Sequence, residues 1–181
     1  MVTRSCFSVL SASWLHAGLL HIVFNVMWIR QLAPAVGELY GAGRMVIIYT
    51  VAGVVGFTLS SVAGETMGWI PIPFLQGAQL TVGASAPIFG LLGSLVYYGR
   101  RTGSSLAGNQ AWSYALPLFL FGFIMPGVDN YAHGGGFLGG YLAALWLDPL
   151  RPERVNHLLG AVVCLGLSLL SVLASFVLGL R

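Results

Sequence analysis

Two positions in this sequence carry side chains that together could perform nucleophilic catalysis. Ser85 lies in the run Gly-Ala-Ser-Ala-Pro at positions 83–87, and His133 lies in the run Tyr-Ala-His-Gly-Gly-Gly at positions 131–136. A serine hydroxyl is a weak nucleophile until a base takes its proton, and a histidine, which titrates near neutrality, is the usual base. The sequence therefore favours a pair in which Ser85 attacks and His133 acts as general base and acid.

His21 and Asn25 carry the hydrogen-bond donors that such a reaction would need. Their i and i+4 spacing places both side chains on one face of a helix, about one turn apart. The carbonyl group attacked by a serine becomes an oxyanion, which preorganised donors stabilise. We expect an oxyanion hole formed by the Ser85 backbone amide, the His21 ring and the Asn25 amide. The positive end of the helix that begins at Ser85 would add to it.

The elements that must position these residues are membrane helices. Hydrophobic residues make up 57% of the 181-residue chain and charged residues only 7%, against roughly a quarter charged in a soluble domain. We predict an all-α fold, a polytopic membrane helix bundle of about six transmembrane helices. The predicted spans cover residues 12–36, 45–63, 80–99, 111–128, 131–147 and 158–180.

The arginines predict how this bundle is oriented. Arg and Lys near helix ends accumulate on the cytoplasmic side. If the first span runs inward, six of the eight arginines share that side, and the amino terminus and the Gly- and Pro-rich segment 64–79 lie outside. His21, Ser85 and His133 then all fall in the outer halves of their spans, although the layout was deduced from the arginines alone. The six inner arginines are Arg30, Arg44, Arg100, Arg101, Arg151 and Arg154.

Small residues predict a close contact between the serine helix and the histidine helix. Gly90 and Gly93 follow Ser85 at helical spacing, and Gly136 and Gly140 form a Gly-x-x-x-Gly after His133. Such faces let helix backbones approach within contact in a membrane. A short hydrogen bond from serine to histidine becomes feasible, and a bulky residue at Gly90 or Gly136 is expected to break it.

These motifs, in this order and spacing, resemble the rhomboid intramembrane proteases. They are His-Ala-Gly-Leu-Leu-His-Ile-Val-Phe-Asn at 16–25, Gly-Ala-Ser followed by Ile-Phe-Gly at 83–90, and Ala-His with a glycine three residues after the histidine at 132–136. Each motif alone is weak, but the three in sequence are specific, and the resemblance covers nearly the whole chain. The resemblance adds Gly83 and His16 to the residues expected to support the site.

The resemblance also implies a mechanism and a substrate class. It implies a dyad of Ser85 and His133 with no third acid, and a water-filled cavity that opens to the outside. It further implies that single-span transmembrane proteins are cleaved after entering sideways, past Phe24 and the helix at 111–128. The expected location is a bacterial inner (plasma) membrane, with the active site toward the outside.

The chain departs from the rhomboid pattern in its ends and at one site position. We expect a single membrane domain over residues 1–181, with a core at 5–150 and an additional transmembrane helix at 158–180. The first of the six usual core helices, with the outer loop that follows it, is expected to be missing before Ala12. The residue after the serine is commonly Gly in the family and is Ala86 here, a change that we expect to be tolerated.

Simpler interpretations exist for each candidate residue. Ser85 could merely cap its helix, and His21 could be a packing histidine. His16, which would lie about 140° around a helix from His21, is expected to have a structural, hydrogen-bonding role. Asp129 precedes His133 by four residues, and we expect a helix cap there rather than a third catalytic residue. A metal site is disfavoured because no His-Glu-x-x-His or acid pattern accompanies the histidines.

Three functions remain in competition at this stage. The first is a serine endopeptidase without cofactor or metal, whose partners are transmembrane protein substrates and the lipid bilayer. The second is a catalytically inactive relative that binds transmembrane segments. A small transporter ranks last, because the sequence holds no internal repeat. Nucleic acid is excluded as a partner because the arginines form no basic patch. No pattern in the sequence specifies an oligomeric state.

Overall fold

The computed structural model describes residues 8–70, 81–125 and 127–179, and every regular element within these ranges is helical. The predicted all-α fold is therefore confirmed. The elements in chain order are α1 (Ser8–Ser11), a 3-10 turn (Ala12–Trp14), α2 (Leu19–Tyr40), α3 (Ala42–Thr66), α4 (Ser85–Thr102), α5 (Ser105–Ile124), α6 (Asn130–Trp146) and α7 (Val155–Gly179).

In the part of the chain that the structure describes, six long helices overlap the six predicted spans, and the apolar helices among them make the chain an integral membrane protein. Within the described ranges, α2, α3 and residues Val155–Val177 of α7 are long and apolar enough to cross a membrane by length and composition. The remaining long helices are more polar or shorter, since α4 ends in Arg100 and Arg101 and α6 has 17 residues. α4 is also buried along most of its length, so protein rather than lipid surrounds it.

Three predicted helix starts differ by five residues or more from the observed ones. The helix predicted from position 111 begins six residues earlier, at Ser105, where the Ser104 side chain caps it. The first span was expected to begin at Ala12, but Gly18 is fully extended and α2 begins at Leu19, from which it runs on to Tyr40. The span predicted at positions 80–99 corresponds to α4. This helix begins at Ser85 rather than at position 80, because Gly83 has φ +130° and cannot continue a helix. Positions 71–80, which include most of the predicted outer loop, lie outside the described residues.

α4 and α6 form the centre of the bundle. α6 packs along both α3 and α4, while α5 and α2 also pack against α4. α7 contacts α3 and α1, and the Ser175 hydroxyl of α7 donates to the Ser11 hydroxyl of α1 at 3.0 Å. The apolar core enclosed by the central helices includes Val36, Tyr40, Ile48, Phe89, Leu91 and Leu92.

The connections after α2, α4 and α6 meet at one end of the bundle. Arg101 pairs with Asp148 at 3.6 Å, and an Arg44 nitrogen donates to the carbonyl oxygens of Leu147 and Asp148 at 2.9 Å each. The Arg44 side chain thus supplies a donor to the C-cap carbonyl of α6 and to the carbonyl that follows it, which have no partner within the helix. His21, Ser85 and His133 lie in the first turns of α2, α4 and α6, at or near the opposite ends of those helices.

The arginines at positions 44, 100, 101, 151 and 154 were expected in cytoplasmic loops, and Arg30 near the inner end of its span. Arg100 and Arg101 lie instead in the last turn of α4. Arg44 was expected in a loop, but it is the third residue of α3 and is buried. Its role as a partner of the α6 carbonyls explains why a charged side chain is tolerated there. Arg30 was expected near the inner end of its span, but α2 extends ten residues beyond it, and its side chain is exposed on that helix.

Candidate active site

The start of α4 is built by a glycine turn. Gly83 has φ +130°, a conformation that L side chains rarely adopt, and its amide donates to the Ala12 carbonyl at 2.9 Å. Ala84 is the N-cap residue, and Ser85 is the first residue inside the helix. Pro87 follows in the first turn, where a missing amide hydrogen costs nothing.

This geometry removes the simpler interpretation of the serine. A capping hydroxyl belongs to the residue before the helix, but that position is Ala84, and no side-chain hydrogen bond caps α4. Ser85 is partly exposed, and among the described residues no hydrogen bond engages its hydroxyl. The hydroxyl is therefore available to a base or a substrate.

The start of α6 is fixed by an aspartate cap. Asp129 accepts hydrogen bonds from the backbone amides of Tyr131 and Ala132 at 2.9 and 3.1 Å, as expected for a cap. His133 follows one turn later and is 7% exposed. Its Nδ1 atom is buried and has no hydrogen-bond partner in the described part of the chain, so no carboxylate orients the ring. Instead the imidazole stacks on Phe89, with centroids 4.3 Å apart and planes 18° apart.

Ser85 and His133 flank the same junction between α4 and α6. Phe89, which stacks on His133, lies one turn after Ser85 on α4. Conversely Gly136, one turn after His133, touches Ala86, the neighbour of Ser85. No hydrogen bond joins the two side chains within the described residues. In substrate-free active sites such bonds are often long and tighten when substrate binds.

Glycines allow the two backbones to approach this closely. A Cβ atom at Gly136 would overlap the carbonyl oxygen of Ala86, and one at Gly140 would overlap the carbonyl oxygen of Gly90. The contact formed by Ala86, Gly90, Gly136 and Gly140 is called the α4–α6 seam below. Gly93 continues this approach, since its own Cβ would overlap the carbonyl oxygen of Phe137. The predicted close contact of these helices is thus present in the structure.

A third helix participates in this packing, and the sequence analysis missed it. A Cβ atom at Gly56 of α3 would lie 2.6 Å from the Ala132 carbonyl oxygen and 2.9 Å from the Ala86 side chain. On α6, Gly135 and Gly139 face α3, one position away from the pair that faces α4. The sequence does contain a pattern that predicts this contact, because Ala52, Gly56 and Ser60 repeat a small residue every four positions.

His21 lies beside the turn that precedes Ser85. A Cβ atom at Gly83 would come within 2.6 Å of the His21 ring, so the glycine makes room for the imidazole. The structure thus brings His21 next to Gly83, two residues before Ser85.

Asn25 is 2% exposed and is turned partly toward its own helix. Its side-chain amide donates to the His21 carbonyl at 2.8 Å. One of its two N–H hydrogens is used in this bond, which leaves the second for another acceptor. No contact is observed between Asn25 and Ser85 or His133 in the described residues.

His16 does not lie on α2, so the angular argument for its position was wrong. It precedes Gly18, where the chain is extended, and its ring meets the His21 ring edge-on with centroids 5.1 Å apart. Its Nε2 atom is buried and has no hydrogen-bond partner among the described residues. The ring supports His21 by packing, and the hydrogen-bonding role expected for His16 stays a prediction.

Phe24 lies on the outward face of α2, where α2 and α5 are loosely joined. Phe24 is 46% exposed, and its ring contacts that of Trp28 at 6.4 Å. Trp28 meets Tyr114 of α5 at 5.3 Å, and Gln31 donates to the Tyr114 hydroxyl at 3.1 Å. Below this contact a cavity of about 150 Å³ separates the helices. We call this region the α2–α5 crevice.

A second, apolar cavity of about 190 Å³ lies between α4, α5 and α6. Phe89 forms one wall, so the cavity adjoins the ring that supports His133, and Phe119 and Phe137 line it further. Among the described residues, no cluster of three or more His, Cys, Asp or Glu side chains could hold a metal ion.

The fold is that of a polytopic membrane protein in which a helix-initiating serine and a histidine flank a glycine-lined contact between two helices. The family model for the rhomboid domain matches residues 3–149, and the chain belongs to the rhomboid family. α7 lies after the matched residues.

Curated relatives come from bacteria, plants and a parasite. The chain is 33% identical over 158 residues to "Rhomboid protease GluP" of Bacillus subtilis, covering 85% of this chain and 29% of that protein. It is 31% identical over 149 residues to "RHOMBOID-like protein 7" of Arabidopsis thaliana, covering 80% and 44%. It is 34% identical over 143 residues to "Rhomboid-like protease 5" of Toxoplasma gondii, covering 75% and 16%. The chain therefore spans less than half the length of each of these relatives.

Proposed function

We propose that this protein is an intramembrane serine endopeptidase in which Ser85 is the nucleophile and His133 the general base and acid. The observation that supports the proposal most directly is the α4–α6 seam, because Ser85 and His133 lie in the first turns of the two helices that form it. The Ser85 hydroxyl is not used as a helix cap, and the His133 ring is held by Phe89. Two of the relatives cited above carry the word protease in their names.

The reaction follows from the positions of these groups. Ser85 Oγ attacks the carbonyl carbon of a peptide bond while His133 takes the hydroxyl proton, and a tetrahedral oxyanion forms. His133 then gives this proton to the leaving amine, the C–N bond breaks, and an acyl-enzyme remains. A water molecule, deprotonated by His133, attacks the ester, and Ser85 regains its proton. Each histidine proton is thus returned within one cycle.

The oxyanion is assigned to donors beside the turn at Gly83. The amide of Ser85 belongs to the first turn of α4 and lacks a helical partner. The His21 ring packs on Gly83, two residues before the serine, and Asn25 retains one N–H. Preorganised donors of this kind are worth about 3 to 4 kcal/mol each in related reactions.

The substrate is proposed to be a transmembrane segment that enters through the α2–α5 crevice. Phe24 stands at this opening, with exposed aromatic surface toward lipid. The apolar cavity beside Phe89 is suited to an apolar side chain of the bound segment. The site is proposed to face the outside of a bacterial inner membrane, opposite the end that carries Arg44 and Arg101.

The proposal is tested with the full chain in detergent and in vesicles. Ser85→Ala and His133→Ala are each expected to lower cleavage of a model transmembrane substrate about 10³-fold or more. Ser85→Ala is also expected to abolish labelling by a fluorophosphonate probe, which reacts with activated serines. Matched controls are Ser113→Ala and His157→Ala, whose side chains bond locally within α5 and beside Arg154. Full activity of Ser85→Ala would refute the assignment.

One observation favours the rival function of an inactive relative that binds transmembrane segments. It is the missing hydrogen bond between Ser85 and His133. The same labelling experiment separates the two functions, because an inactive protein would bind the substrate segment without reacting with the probe.

A further inference from the structure

Asp129 makes more contacts than a helix cap requires. Its first carboxylate oxygen accepts the two backbone amides at the start of α6. Its second oxygen accepts short hydrogen bonds from the hydroxyls of Ser60 and Thr81, which lie 3.1 Å from each other. The carboxylate is 8% exposed, so all these donors meet it away from solvent.

These hydrogen bonds connect three separate parts of the chain. Ser60 belongs to α3, which packs along α6. Thr81 belongs to the segment that enters α4, four residues before Ser85. Asp129 itself precedes α6 and accepts, through its main-chain carbonyl, the amide of His133 at 3.1 Å.

Each oxygen controls one member of the proposed catalytic pair. The capping oxygen sets where α6 begins, and His133 lies one turn from that point. The other oxygen holds Thr81, from which a short stretch of backbone leads through Gly83, itself tied to Ala12, to Ser85. The two stretches of chain that separate the carboxylate from Ser85 and His133 are short and are held by hydrogen bonds, so its position constrains the distance between those side chains.

A helix cap needs only one oxygen of Asp129, so it does not explain the hydrogen bonds that the second oxygen accepts from Ser60 and Thr81. Serine, threonine and asparagine also cap helices and place no negative charge in an apolar region. A buried carboxylate is costly unless hydrogen bonds satisfy it, and here hydroxyls from two other elements complete its shell. Charge-assisted hydrogen bonds of this kind are stronger than neutral ones.

We propose that Asp129, acting through Ser60 and Thr81, is a positioning residue that sets the distance between Ser85 and His133. The inference rests on the proposed endopeptidase function. Asp129 takes no part in proton transfer, because both of its oxygens are occupied and His133 Nδ1 does not reach either of them.

The test compares hydroxyl deletion with hydroxyl retention at one position. Thr81→Val keeps the shape and the α6 cap but removes the hydrogen bond to Asp129, while Thr81→Ser keeps that bond. Thr50→Val is the matched control, since the Thr50 hydroxyl donates to Val46 within α3. The measured quantities are the fluorophosphonate labelling rate, kcat and KM for a transmembrane substrate, and the thermal unfolding midpoint.

Thr81→Val is expected to lower kcat and the labelling rate together by about 10- to 100-fold, the range for misplacing a catalytic group by about 1 Å, with KM unchanged. Thr81→Ser is expected to recover activity to within about twofold, and Thr50→Val to match the wild type. Asp129→Asn, which keeps the capping oxygen, is expected to follow Thr81→Val. If Thr81→Val fails to fold, Ser60→Ala provides the same comparison.

Wild-type labelling by Thr81→Val, or equal loss in Thr81→Val and Thr81→Ser, would overturn the inference while leaving the endopeptidase intact. A wild-type chain that neither reacts with the probe nor cleaves substrate would overturn both. The two failures are therefore distinguishable in one set of measurements.

Discussion

The α4–α6 seam and the α2–α5 crevice show two opposite ways of joining membrane helices. In the seam, backbone touches backbone, and a single added methyl group at Gly136 or Gly140 would overlap a carbonyl oxygen. In the crevice, α2 and α5 meet through the side chains of Trp28, Gln31 and Tyr114 beside a cavity of about 150 Å³. The α4–α6 seam therefore cannot widen without losing its packing, whereas the α2–α5 crevice can widen.

The physical reason is that lipid offers no hydrophobic force to press helices together. Close packing and hydrogen bonds must hold them, and glycine rows maximise the packing term. Aromatic and amide side chains instead reach across a gap and can turn aside. The difference teaches that the proposed catalytic pair lies on the rigid contact, while the proposed opening for a substrate lies on the adjustable one.

The largest expected effect comes from filling the seam. Gly136→Val introduces a branched side chain against the Ala86 carbonyl, and α4 and α6 must separate. We expect a loss of at least about 3 kcal/mol in unfolding free energy and loss of Ser85 labelling, measured by thermal unfolding and probe reaction. Gly166→Val is the matched control, because nothing lies within 4 Å of a Cβ there. Equal stability of Gly136→Val and the wild type would contradict the rigidity assigned to the seam.

A smaller and opposite effect is expected from loosening the crevice. Tyr114→Phe removes the hydroxyl that accepts from Gln31 and Gln110. Side-chain hydrogen bonds between membrane helices average about 0.6 kcal/mol, so cleavage of a transmembrane substrate should rise roughly threefold. Labelling by the small probe should stay constant. Tyr141→Phe, which removes a hydroxyl at the other end near Arg100, is the control. Reduced cleavage in Tyr114→Phe would argue that the crevice must stay closed.

The smallest effect is expected at a glycine of α2 itself. Gly37 lies inside α2, and a Cβ there would meet nothing within 4 Å. Gly37→Ala should therefore stabilise the protein slightly, by less than about 1 kcal/mol through helix propensity, with cleavage unchanged. Thermal unfolding and substrate cleavage measure both. A destabilisation comparable to that of Gly136→Val would mean that α2 packs as tightly as the seam.

Much of the arrangement could be predicted because local patterns encode it. The apolar runs predicted the long helices, and the spacing of the glycines on α4 and α6 predicted that these two helices pack closely. Asp129 before α6 was expected to be a cap, and it is one. The start of α4 was missed by five residues, because hydropathy does not register the backbone conformation of Gly83.

Other features depend on contacts that no local pattern encodes. Ser60 and Thr81 bind a carboxylate 69 and 48 residues away. The small-residue spacing that includes Ser60 predicts helix packing but does not predict this hydrogen bond. Arg44 was assigned to a loop because charge counts ignore the carbonyls that a buried guanidinium can reach. His16 was predicted to lie on a helix, because the hydropathy of the segment does not reveal that Gly18 is extended and interrupts the helix.

The guanidinium of Arg44 has a consequence for where water can act. At its end of the bundle it supplies donors to the Leu147 and Asp148 carbonyl oxygens, whereas at the other end the Ser85 hydroxyl and His133 Nδ1 have no hydrogen-bond partner among the described residues. A water molecule that enters the bundle beside Ser85 and His133 therefore finds polar atoms to bind. This is the position at which the proposed hydrolysis would need it.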